Sequence, residues 1–206
     1  QLGMALYTGK IKLDEAFISL LDFRKNNGLV PTIVQDDKKQ VLMLAFSNKE
    51  SLLRTFKTGK ATYYSRSRKK LWKKGETSGN YQELLRVKYD CDKDTLLFIV
   101  KQKNVACHTG KYSCFDDKEF SFEDLYDVIS DRIINPKKGS YTSKIAADEK
   151  KIKEKIKEEC MEILDYKGKD NLVWEISDIL YFIFVLMAKN GITLDDIRNE
   201  LWRRKK

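Results

Sequence analysis

Hydrophobic and polar positions follow two different periods along the chain, and the change falls near residue 115. Before it, short runs rich in β-branched and aromatic residues are separated by Asp, Lys, Gly and Asn turns, which is typical of strands. After it, apolar residues recur every three or four positions, which is typical of helices. The pattern predicts a β-rich α+β domain followed by an all-α helical bundle.

The predicted elements divide the chain into two domains. In the first half we expect helices over residues 13–25 and 49–57, and strands over residues 29–34, 41–46, 61–65, 84–89 and 96–100. In the second half we expect helices over residues 122–134, 148–166, 172–190 and 194–204, whose short connections favour a bundle. We therefore predict a first domain over residues 1–115, with its core at 28–115, and a second over 116–206.

Composition narrows the class of protein. The chain has 206 residues, is 42% hydrophobic and carries a net charge of +9, which indicates an anionic partner or simply a solvated surface. The longest apolar run, residues 179–188, is shorter than the roughly 20 residues that cross a bilayer, so we expect a buried helix and no membrane partner. The N-terminus has no secretory pattern, and we therefore expect a cytoplasmic protein.

The most chemically loaded segment is residues 90–114, which holds three of the four cysteines and the single histidine. Asp90, Asp92 and Asp94 alternate with Cys91, so in an extended strand the three carboxylates would share one face. Thiolates suit zinc and carboxylates suit magnesium. The segment indicates metal-dependent hydrolysis, against the alternative of a polar turn between strands.

Cys91, Cys107 and Cys114 would leave one position of a tetrahedral zinc ion open, which is typical of a catalytic site. His108 is a candidate fourth ligand. Neighbours on an extended backbone diverge, however, so Cys107 and His108 would bind one ion only if the chain turned sharply there. We therefore expect His108 to act as a general base or transition-state donor beside the zinc site.

A basic, aromatic segment at residues 63–80 is the candidate substrate site. Arginines contact phosphates through two hydrogen bonds and Trp72 offers a ring for stacking, which fits nucleic acid or a phosphorylated purine nucleotide. The alternative is an exposed basic hairpin, although the small residues at 75–80 would permit close approach of a ligand to the backbone. The predicted binding residues are Arg66, Arg68, Trp72, Lys74, Glu76, Thr77, Ser78 and Asn80.

Several motifs in this half resemble those of phosphoribosyl-AMP cyclohydrolases. They are Ser65-Arg66-Ser67-Arg68, Leu71-Trp72, the segment 74–80, Asp90-Cys91-Asp92-x-Asp94, Ala106-Cys107-His108-Thr109-Gly110 and Ser113-Cys114-Phe115. The resemblance covers residues 28–115. It implies zinc bound by the three cysteines, magnesium bound by the three aspartates, and a homodimer whose zinc site draws on both subunits. It also implies that a zinc-activated water opens the adenine ring between N1 and C6.

A zinc nucleobase deaminase is the nearest chemical alternative. Such an enzyme should show a His-x-Glu element and a Pro-Cys-x-x-Cys element. Neither occurs in this sequence.

Five carboxylates stand at helical spacing in the second half: Glu158, Glu159, Glu162, Glu175 and Asp178. Residues three or four apart share a helix face, so two packed helices could bring all five together. Such a group would suit magnesium on a polyphosphate. The alternative is a solvated acidic face, which is weakened because Glu175 and Asp178 lie in or beside a strongly apolar run.

This half resembles phosphoribosyl-ATP pyrophosphohydrolases, which are all-α enzymes with a Glu-Glu-x-x-Glu and Glu-x-x-Asp magnesium motif. The match rests on the five acids together with Lys155, Tyr181 and the predicted substrate-binding residues Ser140, Tyr141 and Thr142. Lys157 stands where a glycine is usual, which could alter packing, and Phe182 stands where a histidine is common, which removes a polar group.

Together the resemblances imply a bifunctional enzyme that converts phosphoribosyl-ATP to phosphoribosyl-AMP and then opens the ring. The alternative from another class is a zinc-stabilised nucleic-acid-binding module with a helical dimerisation domain, suggested by the net charge of +9. That module predicts binding that weakens steeply with salt and gives no role to the helical carboxylates. We therefore expect no nucleic-acid partner.

Overall fold

The computed structural model describes residues 2–9 and 12–205. The chain divides into two compact units, Gln1–Glu119 and Phe120–Lys206. The first is β-rich and the second is helical, which confirms the predicted fold class. Each unit has its own cluster of buried apolar side chains.

The first unit contains three helices and six strands in its described part. The helices are α1 (Leu2–Tyr7), α2 (Leu13–Ser19) and α3 (Lys49–Thr58). The strands are β1 (Val30–Asp36), β2 (Val41–Ser47), β3 (Thr62–Ser65), β4 (Lys70–Lys73), β5 (Gln82–Tyr89) and β6 (Leu96–Gln102). All five predicted strands are present, whereas β4 was not predicted.

Four of the strands form a sheet in the order β2-β1-β6-β5, in which β1 and β6 run parallel and the other neighbours run antiparallel. Alternation along β1 and β6 gives the sheet two faces. One face carries Val34 and Phe98, which are paired across the strands and fully buried in the core. The other carries Ile33 opposite Leu44, and both side chains are exposed.

The segment predicted as one helix over residues 13–25 is a helix only as far as Ser19. Leu21 and Phe23 continue into the core at a spacing of two, which an α-helix cannot provide on one face. The backbone then turns at Asn27 and Gly28, which both have positive φ angles. The prediction of a longer helix was wrong because the apolar residues beyond Ser19 change their period.

The second unit contains α4 (Phe122–Ile134), α5 (Tyr141–Ala146), α6 (Glu149–Leu164), α7 (Lys169–Lys189) and α8 (Leu194–Arg204). The core cluster draws its buried side chains from α4, α5, α6 and α7, among them Ile129, Ile152 and Val185. No residue of α8 is buried. The short helix α5, which the periodicity did not reveal, therefore packs more deeply in the bundle than the predicted last helix.

Helix α7 is the one described helix that is long and apolar enough, by length and composition, to cross a membrane. It packs against α4 and α6 and supplies Phe182, Phe184, Val185 and Met187 to the core. Core helices of other proteins meet the same criterion. Near the N-terminal end of the helix, Val173 and Trp174 are exposed.

Candidate active sites

Asp90, Asp92 and Asp94 lie in the turn that joins β5 to β6, and one carboxylate oxygen from each lies within 4.8 Å of the others. One oxygen of Asp90 accepts hydrogen bonds from the backbone amides of Asp94 (3.1 Å) and Thr95 (3.2 Å). The turn needs Lys93 in the left-handed region, at φ 64°. We call these three carboxylates the acidic turn.

The expected extended strand through Asp90–Asp94 was wrong. The three carboxylates converge because the chain folds back between two antiparallel strands, not because alternate residues share a face. A tight turn also brings residues that are two positions apart close together. The predicted strand and the observed turn therefore both place Asp90, Asp92 and Asp94 in one cluster.

A second cluster is formed by Cys107 and Cys114, whose thiols are close enough to interact directly. The hydroxyl of Thr109 donates to the sulfur of Cys107 over 3.0 Å and lowers the pKa of that thiol. Burial and the neighbouring Cys107 raise the pKa of the Cys114 thiol. A lowered pKa favours the thiolate, which is the form that binds zinc.

Cys91 is exposed and stands apart from this pair within one chain. Among the residues described by the structure, no group of three possible metal ligands within 4.8 Å of one another includes a cysteine. The structure therefore brings together two of the three predicted zinc ligands.

His108 is exposed, and its Nδ1 lies 3.9 Å from the sulfur of Cys107. The chain does turn sharply here, because the amide of Gly110 donates to the carbonyl of Cys107 (3.3 Å). The geometric reason for separating His108 from the zinc ligands therefore does not hold. Its predicted role as a proton handler therefore depends on the count of three cysteines alone.

Lys74 is the predicted substrate-binding residue that lies nearest to the cysteine pair. Its Nζ donates to the carbonyl of Ala106 over 2.6 Å, and both thiols contribute to its electrostatic surroundings. Burial lowers the pKa of this lysine. The basic segment and the cysteine segment therefore meet at Lys74.

The rest of the basic segment forms the β3–β4 hairpin and the loop after it. The guanidinium carbon of Arg66 lies 3.7 Å from the ring centroid of Phe46, and Arg68 contacts Ser65. The ring of Trp72 packs against the buried Tyr63, with ring centroids 5.1 Å apart and an angle of 43° between the ring planes. Arg66 and Arg68 are therefore exposed at the tip of the hairpin, whereas Trp72 is half-buried against the core.

The loop at 75–80 turns on Gly75, which has φ 80°. A Cβ atom at Gly75 would lie 2.5 Å from backbone atoms of Asn80 and Tyr81, so glycine is required there. Glu76, Thr77 and Ser78 are exposed between these two ends. The close contact between Gly75 and the backbone of Asn80 and Tyr81 therefore closes the base of the loop, and the polar side chains between them are exposed.

In the helical unit, Glu159 and Glu162 on α6 meet Glu175 on α7, with one carboxylate oxygen from each within 4.8 Å of the others. Glu159 and Glu175 are only 5% and 8% exposed. Burial and the neighbouring Asp178 and Glu162 raise the pKa of Glu159. A hydrogen bond that protonated Glu162 donates to Glu175, together with burial, raises the pKa of Glu162. We call these three residues the helical acid cluster.

The other two predicted acids lie at the edge of this cluster. Asp178 affects Glu159 electrostatically, while Glu158 forms an ion pair with Lys155 at 2.7 Å. Asn171 was not predicted: its side-chain amide donates to Glu175 over 2.6 Å while its oxygen accepts from the amide of Lys167. Asn171 therefore fixes the orientation of one acid against the turn before α7.

Ser140, Tyr141 and Thr142 begin α5 beside the helical acid cluster. The hydroxyl of Thr142 lies 2.7 Å from that of Tyr181, and the rings of Tyr141 and Tyr181 stack at 6.3 Å. Tyr181 lies one turn beyond Asp178 on the same helix. The start of α5 is therefore held next to the acids by Tyr181.

The two departures from the expected motif have different surroundings. Lys157 is exposed, so it does not disturb packing within the unit. Phe182 is buried, contacts the rings of Tyr141 and Tyr181, and lies 6.0 Å from the Lys155 ammonium. The apolar ring completes the core at a position where a polar one would need a partner.

Sequence reasoning did not identify Lys25, whose ammonium forms ion pairs with Asp92 and with Asp94 (2.9 Å to the latter). The contact joins residues 67 and 69 positions apart, so no local spacing could have indicated it. Thr109 could have been found, because it lies two positions from Cys107.

Comparison with protein families gives two matches that follow one another along the chain. A family model described as phosphoribosyl-AMP cyclohydrolase matches residues 43–116, and one described as phosphoribosyl-ATP pyrophosphohydrolase matches residues 122–205. The first match contains the acidic turn and the cysteine pair, and the second contains the helical acid cluster.

Similar curated proteins extend over nearly the whole chain. A histidine biosynthesis bifunctional protein HisIE of Pyrococcus furiosus is 43% identical, covering 93% of this chain and 99% of its own length. The protein of the same name from Caldanaerobacter subterraneus subsp. tengcongensis is 47% identical over 87% of this chain and 94% of its own length. A histidine biosynthesis trifunctional protein of Saccharomyces cerevisiae is 40% identical over 85% of this chain but 22% of its own length. This chain belongs to the bifunctional HisIE family, in which a phosphoribosyl-AMP cyclohydrolase domain precedes a phosphoribosyl-ATP pyrophosphohydrolase domain.

Proposed function

We propose that this chain catalyses two consecutive hydrolyses in histidine biosynthesis. The domain at residues 116–206 releases pyrophosphate from phosphoribosyl-ATP, and the domain at residues 1–115 opens the adenine ring of the resulting phosphoribosyl-AMP. The observation that carries the proposal is that each matched region has its own cluster of three carboxylates close enough together to hold a metal ion.

For the first reaction, the helical acid cluster fits magnesium. Two of its carboxylates are buried and the raised pKa values of Glu159 and Glu162 reflect burial and crowding of like charges, which a hard dication would relieve. Magnesium, when bound, neutralises charge on the polyphosphate. Lys155 and the start of α5 lie beside the acids and can bind and orient the phosphates. We assign Glu158 and Asp178 to the same site.

For the second reaction, we assign zinc to Cys91, Cys107 and Cys114 and magnesium to the acidic turn. The lowered pKa of Cys107 suits a zinc ligand. Zinc, when bound, lowers the pKa of water from 15.7 to about 7. His108 lies beside Cys107 and can accept and return the proton at its ring nitrogen. The 66–80 segment, whose Lys74 reaches the thiols, is the proposed binding site for the phosphorylated nucleotide.

We further propose a homodimer in which Cys91 reaches the cysteine pair of the partner chain. Two observations support it. Cys91 is exposed and separate from Cys107 and Cys114 within one chain. The outer face of the sheet exposes Ile33 by 37% and Leu44 by 52%, and apolar side chains paired in this way are typical of a protein interface.

The remaining assignments follow from the substrates. The positive charge of the 66–74 segment is assigned to phosphate groups of small substrates, and no nucleic-acid partner is proposed. We propose a cytoplasmic enzyme without a membrane partner, in which α7 serves as the core helix of the bundle.

Purified chain supplied with zinc, magnesium and phosphoribosyl-ATP should release pyrophosphate and then accumulate ring-opened product. Both are measured in one reaction, the first with a coupled phosphate assay and the second by ultraviolet absorbance. If neither product forms, the proposal is wrong. If pyrophosphate forms alone and added phosphoribosyl-AMP is not consumed, the assignment of the first domain is wrong.

A further inference from the structure

Residues 20–28 cross the acidic turn, and we call this segment the strap. The backbone of the strap is held in place on both sides of Lys25. Leu21 and Phe23 are buried in the core of the first unit, and the amide of Asp22 donates to the carbonyl of Lys93 over 2.8 Å. The amide of Gly28 donates back to Phe23 over 2.8 Å. Lys25 therefore projects from an anchored segment.

The Lys25 ammonium lies between two carboxylates of the acidic turn. Its Nζ is 2.9 Å from Asp94 Oδ2 and also forms an ion pair with Asp92. A lysine ammonium and an aspartate carboxylate are both charged at neutral pH, so the contact is an ion pair. The third member, Asp90, accepts the two backbone amides described above.

We propose that Lys25 competes with magnesium for the acidic turn and thereby sets the affinity of the cyclohydrolase domain for the metal. This inference rests on the proposed assignment of magnesium to Asp90, Asp92 and Asp94. An ammonium and a dication on the same two carboxylates repel each other, and this repulsion exceeds the attraction of an exposed ion pair. Magnesium binding therefore displaces the Lys25 side chain.

Displacement requires only a side-chain movement. The Lys25 side chain is already 45% exposed, so its ammonium can turn into water while Leu21, Phe23 and the Asp22 amide hold the strap in place. Lys25 is thus a positioning residue that acts through the carboxylates. It lies outside the region matched by the cyclohydrolase family model, which begins at residue 43.

The test is magnesium binding to the full-length protein without substrate, followed through the NMR amide signals of residues 90–95. These signals report the acidic turn separately from the helical acid cluster. Lys25→Met should bind magnesium about three- to tenfold more tightly than the unchanged protein, the range expected for losing two exposed ion pairs. Lys25→Arg keeps the charge and should stay within about twofold of the unchanged protein.

Lys111→Met is the matched control, because Lys111 forms an exposed ion pair in the same unit with Asp117 (3.3 Å), which is not part of the acidic turn. It should leave the affinity unchanged. Equal or weaker magnesium binding by Lys25→Met, with the midpoint of thermal unfolding in EDTA unaltered, would overturn the role of Lys25. Lys25→Gln provides a second neutral variant should the methionine variant fold poorly. If magnesium shifts none of these signals in any variant, the magnesium assignment itself is wrong.

Discussion

Cys107 has the most specific surroundings of any cysteine in the chain. Its thiol receives the Thr109 hydroxyl, lies beside Cys114 and His108, and is buried at the end of a turn. Cys160, by contrast, is exposed on a helix of the other unit. The two cysteines therefore form a natural pair for mutagenesis.

Cys107→Ala should abolish ring opening and spare pyrophosphate release, because the two reactions are assigned to separate clusters. Both products are measured from the same preparation, together with its zinc content. Cys160→Ala should retain both reactions and the zinc. Loss of pyrophosphate release in a folded Cys107→Ala protein would contradict two independent sites.

Glu159→Gln should stabilise the metal-free helical unit by about 1 kcal/mol at neutral pH while abolishing pyrophosphate release. The raised pKa of Glu159 means that its charged form is disfavoured in the folded state, and glutamine removes that charge. The advantage should shrink as pH falls, because the folded protein then protonates Glu159. Thermal unfolding in EDTA measures both effects.

Glu158→Gln is the control for that measurement, since Glu158 is exposed and paired with Lys155. It should not stabilise the unit and should cost up to about 0.5 kcal/mol. A stability gain of equal size in both variants would show that crowding of the buried acids is not the cause.

The relative position of two residues could be predicted correctly only where the backbone between them forms a helix or a strand. Glu159 and Glu162 could be placed together because helical spacing fixes their relation. The geometry assumed for Asp90–Asp94 and for Cys107 with His108 was wrong, because both segments are turns. Lys25 was out of reach, since its contact depends on tertiary structure.

At the scale of elements, the loop after β4 depends on one glycine. Gly75 has φ 80° and no room for a Cβ atom against the backbone of Asn80 and Tyr81. Gly79, four residues later, has a similar φ of 73° but open space around it. A substitution at Gly75 therefore tests the steric clash together with the left-handed backbone, whereas a substitution at Gly79 tests the left-handed backbone alone.

Gly75→Ala should lower the free energy of unfolding by about 2–4 kcal/mol and reduce ring opening more than tenfold. Gly79→Ala should cost about 1 kcal/mol, because only the left-handed conformation is penalised. Chemical denaturation gives the first quantity and initial rates the second. Equal costs at the two positions would contradict the close approach at Gly75.

Strong periodicity made most elements predictable, and its loss explains the failures. The long helices α4, α6 and α7 and the strands of the main sheet were placed within a few residues. The sequence of strand β4, Lys-Leu-Trp-Lys, has the composition of a basic loop. Only its pairing with β3 identifies it as a strand. Helix α8 has a clear helical pattern, yet Ile197, Leu201 and Trp202 remain exposed and Leu194 is only partly buried.

At the scale of the whole molecule, the exposed apolar face of the sheet is the surface on which the proposed dimer depends. Ile33 and Leu44 face outward together, with Phe46 beside them under Arg66. Nothing in the strand pattern indicated the sheet order β2-β1-β6-β5, because a parallel pair between β1 and β6 requires the intervening elements to be placed first. The exposed apolar face of the sheet could therefore be recognised only from the three-dimensional structure.

Leu44→Glu should weaken the proposed dimer about a hundredfold, since it places a charge at the centre of an apolar contact. At micromolar concentration the mass from light scattering should fall from two chains to one, and ring opening should fall with it. Leu13→Glu is the control, because Leu13 is an exposed apolar residue of α2 outside this face. A two-chain mass with full ring opening in Leu44→Glu would exclude this face as the interface.

The two units each bury their own apolar cluster, and neither cluster contains a side chain from the other unit. We therefore expect each unit to fold without the other, so that covalent linkage contributes something apart from stability. A ribosome that makes this chain makes the two catalysts in a fixed one-to-one ratio, and a protease that removes one removes the other. The join near residue 119 thus fixes the ratio of the two active sites at one to one from synthesis onward.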